Sequence, residues 1–219
     1  MSDKSNKYGY VGVDIPAQSF GANKGVFNPA EINELVADNK WTSFGQLELI
    51  ETQTASSVTT LEFTSLGTYN VHFLTLNDFS SDKDNFEIAV QLSSDGGSSY
   101  ISSGYQYALQ NGYSDGTFSE SKTTSESEMR LASFIGNATN ETGQGYAYFY
   151  NLLDSTKYSF STSHFMGVHG NTSLGGGFTF GSNVLTSSAT HNAIKIFFEG
   201  VGTATFSGVA SLYGIKEYS

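Results

Sequence analysis

The side chains best suited to acid–base or metal chemistry are His72, His164, His169 and His191, and a group of aspartates, Asp78, Asp82 and Asp84, with Asp95 in a later turn. A catalytic or metal-bound histidine needs a partner at a set spacing. His164 and His169 are neighbours in sequence but lack an acidic residue at ligand spacing. His72 falls in an alternating run, on the face opposite Val71 and Phe73. Hydrogen-bonded or surface roles are expected for all four. The aspartates suit an oxygen-rich cation loop, yet their spacing is not that of an EF-hand and no closing glutamate follows. A solvated turn is expected, with a bound cation as the alternative.

Other constellations are weaker. Gly96-Gly97 and Gly175-Gly176-Gly177 are not followed by Lys-Ser or Lys-Thr, as a phosphate loop requires. There is no Gly-x-Ser-x-Gly nucleophile elbow. The absence of cysteine removes disulfides, thiolate metal sites and cysteine nucleophiles. Paired carboxylates for glycoside hydrolysis depend on spatial separation, and no spacing here favours them. The Asn-x-Ser/Thr matches at Asn137, Asn140 and Asn171 are expected by chance in a chain so rich in Asn and Thr. No catalytic residue, metal ligand or cofactor is therefore assigned, and the chain is read as a non-enzyme. Tyr100, Tyr105, Tyr107 and Tyr113 cluster near turns and are candidate surface-binding aromatics, since tyrosine joins rigid contact area to a polar tip. The competing reading makes them core and rim residues of a sandwich.

The elements that would position such groups are short strands. Phe86, Ile88, Val90 and Leu92 alternate with Glu87, Ala89 and Gln91; so do Thr59, Leu61 and Phe63, Tyr69, Val71 and Phe73, and Ile194, Ile196 and Phe198. Tyr146, Tyr148 and Tyr150 share one face, with Ala147 and Phe149 on the other, which places that strand centrally or against a second chain. Asp95-Gly96-Gly97, Asn111-Gly112, Asp115-Gly116, 137–145 and 200–202 read as turns. Many short strands without interleaved helices imply an antiparallel sandwich or barrel. The stretches 111–128 and 167–183, rich in Ser and Thr or in Gly, read as loops.

Ahead of the strands, residues 1–27 read as an extended arm whose apolar Tyr8, Tyr10, Val11, Val13 and Ile15 need a covering surface. Asn28, Pro29 and Glu31 form a helix start with a capping box. Phe27 and Ile32 make a staple, and Ile32, Leu35 and Val36 a stripe, predicting a helix from Pro29 to Asn39 with Trp41 beyond it. Tyr8, Tyr10, Val13, Ile15, Phe20, Phe27, Ile32, Leu35 and Trp41 are the candidate attachment residues. The arm is expected to order only against a partner surface.

Composition narrows the partners. Charged residues make up 14% and the net charge is -11, so nucleic acid and anionic membrane surfaces are both disfavoured. The polar start has no apolar signal region, and no apolar run would span a bilayer. Synthesis as a soluble cytoplasmic protein is expected.

A resemblance adds to this reading. Tyr8-Gly9-Tyr10-Val11-Gly12-Val13-Asp14-Ile15-Pro16-Ala17-Gln18-Ser19-Phe20, then Asn23-Lys24-Gly25-Val26-Phe27 and the helix ending at Trp41, resembles the N-terminal region of virion structural proteins of tailed bacteriophages, especially cyanophages. Phe63-Thr64-Ser65, Tyr69-Asn70-Val71-His72-Phe73 and Leu92 to Tyr100 are similar to a strand–turn–strand pattern of phage appendage and decoration proteins. So is the close, Ser211-Leu212-Tyr213-Gly214. Val90 to Ser94 departs from the Arg- and Asn-containing strand of related sequences. The resemblance implies a virion component of tail-fibre, neck, baseplate or capsid-decoration type, made in the host cytoplasm. Residues 1–42 would attach it and an all-β, jelly-roll-like sandwich, 43–219, would be displayed. Other virion proteins and copies of itself are the expected partners, and a host surface glycan the alternative one.

Overall fold

A computed structural model describes residues 29–38, 46–171, 173–200 and 202–216. In the N-terminal unit, helix α1 spans Pro29–Ala37, two residues short of the expected end. Ile32 and Leu35 are half-buried and Val36 is exposed. Its amide ladder runs on to Asp38, whose N–H donates to Glu34 O at 2.9 Å. It is not long and apolar enough to cross a membrane. Asn28, Phe27 and Trp41, and the arm residues Tyr8, Tyr10, Val13, Ile15 and Phe20, lie outside the described residues.

In the second unit, Leu47–Ser219, the described strands are all antiparallel. In chain order these are β1 (Leu47–Val58), β2 (Thr60–Phe63), β3 (Val71–Ser81), β4 (Phe86–Ser93), β5 (Tyr105–Tyr113), β6 (Phe118–Glu126), β7 (Met129–Ile135), β8 (Gly143–Tyr150), β9 (Tyr158–Val168), β10 (Gly176–Ser188), β11 (Ala193–Glu199) and β12 (Phe206–Ile215). An eight-stranded sheet has the order β1-β12-β3-β8-β9-β10-β5-β6, and a four-stranded sheet the order β2-β11-β4-β7. Setting aside the hairpins β5–β6 and β9–β10 leaves eight strands. Numbered in chain order, they form sheets 1-8-3-6 and 2-7-4-5, the jelly-roll arrangement. The two hairpins widen one sheet only. The result is a jelly-roll sandwich with one sheet twice the width of the other.

The core lies where the sheets face one another. Phe63, Leu74, Leu76, Phe79, Ile88, Leu92, Phe149, Ile194, Ile196, Phe206 and Leu212 are buried there. Phe206 stacks between Phe79 and Phe198, with ring centroids 5.4 and 4.9 Å away. At the bulge in the β3–β12 pairing, Gly208 has φ +149°, and a Cβ there would stand 2.5 Å from the Phe79 ring and 3.0 Å from Asp78 O. Only glycine suits that backbone.

Beyond the apolar core, β7 closes the sandwich against the added hairpins. It is the edge strand of the small sheet, so it has backbone groups that β4 leaves unpaired. Side chains of the large sheet bond that backbone. Arg130 N–H donates to Asn183 Oδ1 (2.8 Å), Ser133 N–H to Thr179 Oγ1 (3.3 Å), and Ser163 Oγ to Leu131 O (3.0 Å). Asn183 Nδ2 donates in turn to Ser161 Oγ (3.1 Å), and Thr179 Oγ1 to Asn111 Oδ1 (2.7 Å). A buried polar layer results, each bond anchoring an otherwise orphaned group.

Two loop expectations are corrected. Within 111–128, β6 pairs with β5 from Gly112 to Tyr105. It is the edge strand and wet on both faces, so it has hydroxyls where a half-buried strand would alternate. Within 167–183, glycines 176, 177 and 181 are in β10, and the turn is confined to residues near 169–175. At Gly177 and Gly181 neighbouring strands and rings occupy the side-chain space: a Cβ on Gly181 would lie 2.2 Å from Ala108 O.

Candidate functional site

The chemistry-bearing residues have structural partners. Asp78 Oδ1 accepts from Gln144 Nε2, Asp82 Oδ1 from Thr205 N–H, and Asp84 Oδ1 from Asn137 N–H. The three carboxylates thus go to three different segments. Among the described residues no group of three His, Asp or Glu could hold a metal ion. Asp95 Oδ1 accepts from Ser93 Oγ (2.7 Å) and from Ser99 N–H (2.9 Å), and Oδ2 from Ser99 Oγ (2.6 Å). These bonds, the Ser99 hydroxyl first, hold its pKa down at about 2 and lock the Asp-Gly-Gly turn.

His72 and His191 are fully buried. His72 Nε2 donates to Leu66 O (2.8 Å), and His191 Nδ1 lies 2.8 Å from Ser159 Oγ. Burial holds both imidazoles below the ordinary value of 6.5. A histidine depressed in the folded state supplies stability above that value and loses it as the pH falls below. Glu87 acts in the opposite sense. Burial outweighs the attraction of Arg130 Nε, 2.6 Å away, and pushes the carboxyl up to about 7. Its contribution is present below the usual carboxylate range and is lost as the pH rises toward 7. Replacing His191 with Gln is expected to flatten the acid-side loss of unfolding free energy between about pH 7 and 5. Urea denaturation across that range measures it. An unchanged slope would show that His191 does not titrate on unfolding.

The four tyrosines singled out above do not form one surface. Tyr105 is fully buried and its hydroxyl accepts from Leu92 N–H (2.9 Å). Tyr107 is also buried, with the Arg130 guanidinium 4.8 Å from its ring centroid. Both point inward from β5, so the surface role is corrected for them. Tyr100 is half-buried on the small-sheet side, beneath Lys195 Nζ at 4.5 Å. Tyr113 is half-buried against His169, 5.3 Å centroid to centroid.

The aromatic surface of the molecule is instead the outer face of the large sheet. β8 is central, fourth in the order, and presents Tyr146, Tyr148 and Tyr150 outward while Ala147 and Phe149 are in the core. β3 contributes Phe73, β12 Tyr213, β9 Phe160, His164 and Met166, and β10 Phe178 and Phe180. Register aligns them: Tyr213↔Phe73↔Tyr148 in one row, Tyr146↔His164↔Phe180 in the next. The rings touch in sequence across the sheet. Phe73 lies 6.2 Å from Tyr213, 4.7 Å from Tyr148 and 5.8 Å from Tyr146. Tyr146 meets His164 at 6.0 Å, His164 meets Phe178 at 6.4 Å, and Phe178 stacks on Phe180 at 6.0 Å.

Five adjacent strands therefore share one connected band of rings, open to solvent: Met166 is 58% and Phe180 50% exposed. Gly112 makes room for its end, since a Cβ there would lie 2.6 Å from Phe178 and 2.9 Å from Phe118. Tyr146, Tyr148, His164 and Phe180 border a shallow trough of about 500 Å³. A second, of about 690 Å³, lies over Gln106, Ala108, Phe160, Ser182 and Val184.

The signal for this face was in the sequence. In β9, Phe160, Thr162, His164 and Met166 alternate with Ser159, Ser161 and Ser163. The large residues face out and the serines in, against the usual sense. No family model, no curated protein and no solved structure matches this chain.

Proposed function

We propose that this chain is a non-catalytic structural component of a tailed-phage virion, of the appendage, tail-fibre or capsid-decoration kind. It attaches through its N-terminal region and displays the jelly-roll sandwich for assembly or host contact. The connected band of rings on the large sheet carries the reading. A soluble monomer seldom keeps an apolar patch of more than a few hundred Å² without a use for it, and a broad shallow face suits protein contact better than turnover of a small substrate. The resemblance of the N-terminal segment and of Ser211 to Gly214 to virion proteins supplies the setting. The trough beside Tyr146, Tyr148 and Phe180 favours a second reading, a carbohydrate-binding module for host glycans, because tyrosine faces suit sugar stacking.

Gold-labelled antibody against the sandwich, applied to purified phage particles, is expected to decorate one defined part of the particle. Recovery of the protein only in the particle-free fraction would overturn the virion reading.

A further inference from the structure

We propose that the outer face of the large sheet is the contact through which copies of this chain assemble, its occupant being a second copy. The inference rests on the structural-component reading and gives that component its interface. Charge carries it first. The chain has a net charge of -11, so two copies repel except across a region free of like charge. The segments 71–77, 106–110, 146–150, 160–166, 178–184 and 209–213 contain no Asp, Glu, Lys or Arg. They are adjacent lanes of one sheet, β12-β3-β8-β9-β10-β5. Acidic and basic side chains border these segments: Glu48 and Glu51 on β1, Glu120, Lys122 and Glu126 on β6, and Asp78 at the end of the β3 segment, bonded to Gln144 Nε2. An apolar centre with a charged rim is the anatomy of a protein–protein contact.

Size agrees. Six strands about 4.8 Å apart, each giving about six residues of about 3.3 Å, cover roughly 600 Å² before side-chain relief is counted. A stable contact buries about 800 Å² per partner. The alternatives fit less well. A basic or acidic partner would find no opposite charge within these six segments. A glycan site needs hydrogen-bonding groups convergent on the stacked ring, and the trough offers mainly Thr162, His164 and the tyrosine hydroxyls. Edge-to-edge sheet extension is discouraged by the charges on β1 and β6.

The test uses the full chain and two outward substitutions, Phe180→Glu and Tyr148→Glu, with Thr60→Glu, an exposed position on the small sheet, as control. Sedimentation at about 10 µM is expected to give a multiple of 23.5 kDa for the wild type and for Thr60→Glu. Phe180→Glu and Tyr148→Glu should sediment as monomers, their association weakened by at least about 30-fold, as for a central interface residue, with unchanged circular dichroism and a cooperative melt of the monomer. A monomeric wild type at about 100 µM, about ten times the working concentration, overturns the proposal. So does an oligomer that survives both substitutions, which would place the contact elsewhere. If the wild type is monomeric and binds a glycan array through Tyr148, the face belongs to the sugar. Self-association through this face by a chain absent from particles would overturn the virion reading alone. A particle-bound chain whose oligomer ignores Phe180→Glu would overturn the interface alone.

Discussion

Replacing Phe149 with Ala is expected to lower the unfolding free energy of the sandwich by about 3–5 kcal/mol. Phe149 has no exposed surface and packs in the core from the central strand of the large sheet. Its removal loses the transfer energy of a phenyl ring and leaves a cavity the two sheets cannot close without shearing their registers. A domain of this kind holds about 5–15 kcal/mol in total, so one substitution removes a large fraction. Tyr148→Ala, one residue away, is the matched control. Its ring lies on the outer face against Phe73, and its loss should cost the dilute monomer less than about 1.5 kcal/mol, the range of an aromatic pair. Urea denaturation of both variants, below the concentration of self-association, measures the difference. Equal costs would mean that the sheet does not have Phe149 inside and Tyr148 outside.

Replacing Asn183 with Leu is expected to cost about 2–4 kcal/mol, although it adds apolar volume to an interior position. The substitution removes the acceptor for Arg130 N–H and the donor to Ser161 Oγ. An orphaned buried donor costs about 1–3 kcal/mol, and a lost hydrogen bond about 1 kcal/mol more. Adding Ser161→Ala should then cost little further, because its partner is already gone. Non-additivity of the pair in a double-mutant cycle measures the coupling. Strict additivity would show that Asn183 does not tie β10 to both β9 and β7.

These two expectations explain how far the sequence could be read. Alternation at Tyr146 to Tyr150, Phe86 to Leu92 and Ile194 to Phe198 specified strands, their number pointed to a sandwich, and Pro29 with Glu31 specified a helix start. All of these are local, set by the two-residue and 3.6-residue repeats of side-chain direction. Edge strand β6 was not legible, because a strand exposed on both faces has no reason to alternate. Nor was β10, where Gly177 and Gly181 sit where rings and backbone from neighbouring strands occupy the space.

The sequence by itself determined which side chains share a face: Phe73 with Val71, Tyr148 with Tyr146, Phe160 with His164. It also determined that the segments 71–77, 106–110, 146–150, 160–166, 178–184 and 209–213 carry no acidic or basic side chain, while their place side by side in one sheet belongs to the topology. Tertiary structure alone decided which of the two faces is inside. A period of two is symmetric, and it assigns residues to faces without orienting the strand. In β9 that choice put Ser159, Ser161, Ser163 and Phe165 in, and Phe160, His164 and Met166 out. The reason is that β7 lies across β9 and β10 with backbone N–H and C=O groups left over from its own sheet, and hydroxyls and amides bond those groups where phenyl rings would leave them orphaned. On β9 and β10 this turns Phe160, His164, Phe178 and Phe180 outward, where they join the rings of β12, β3 and β8 on one open face.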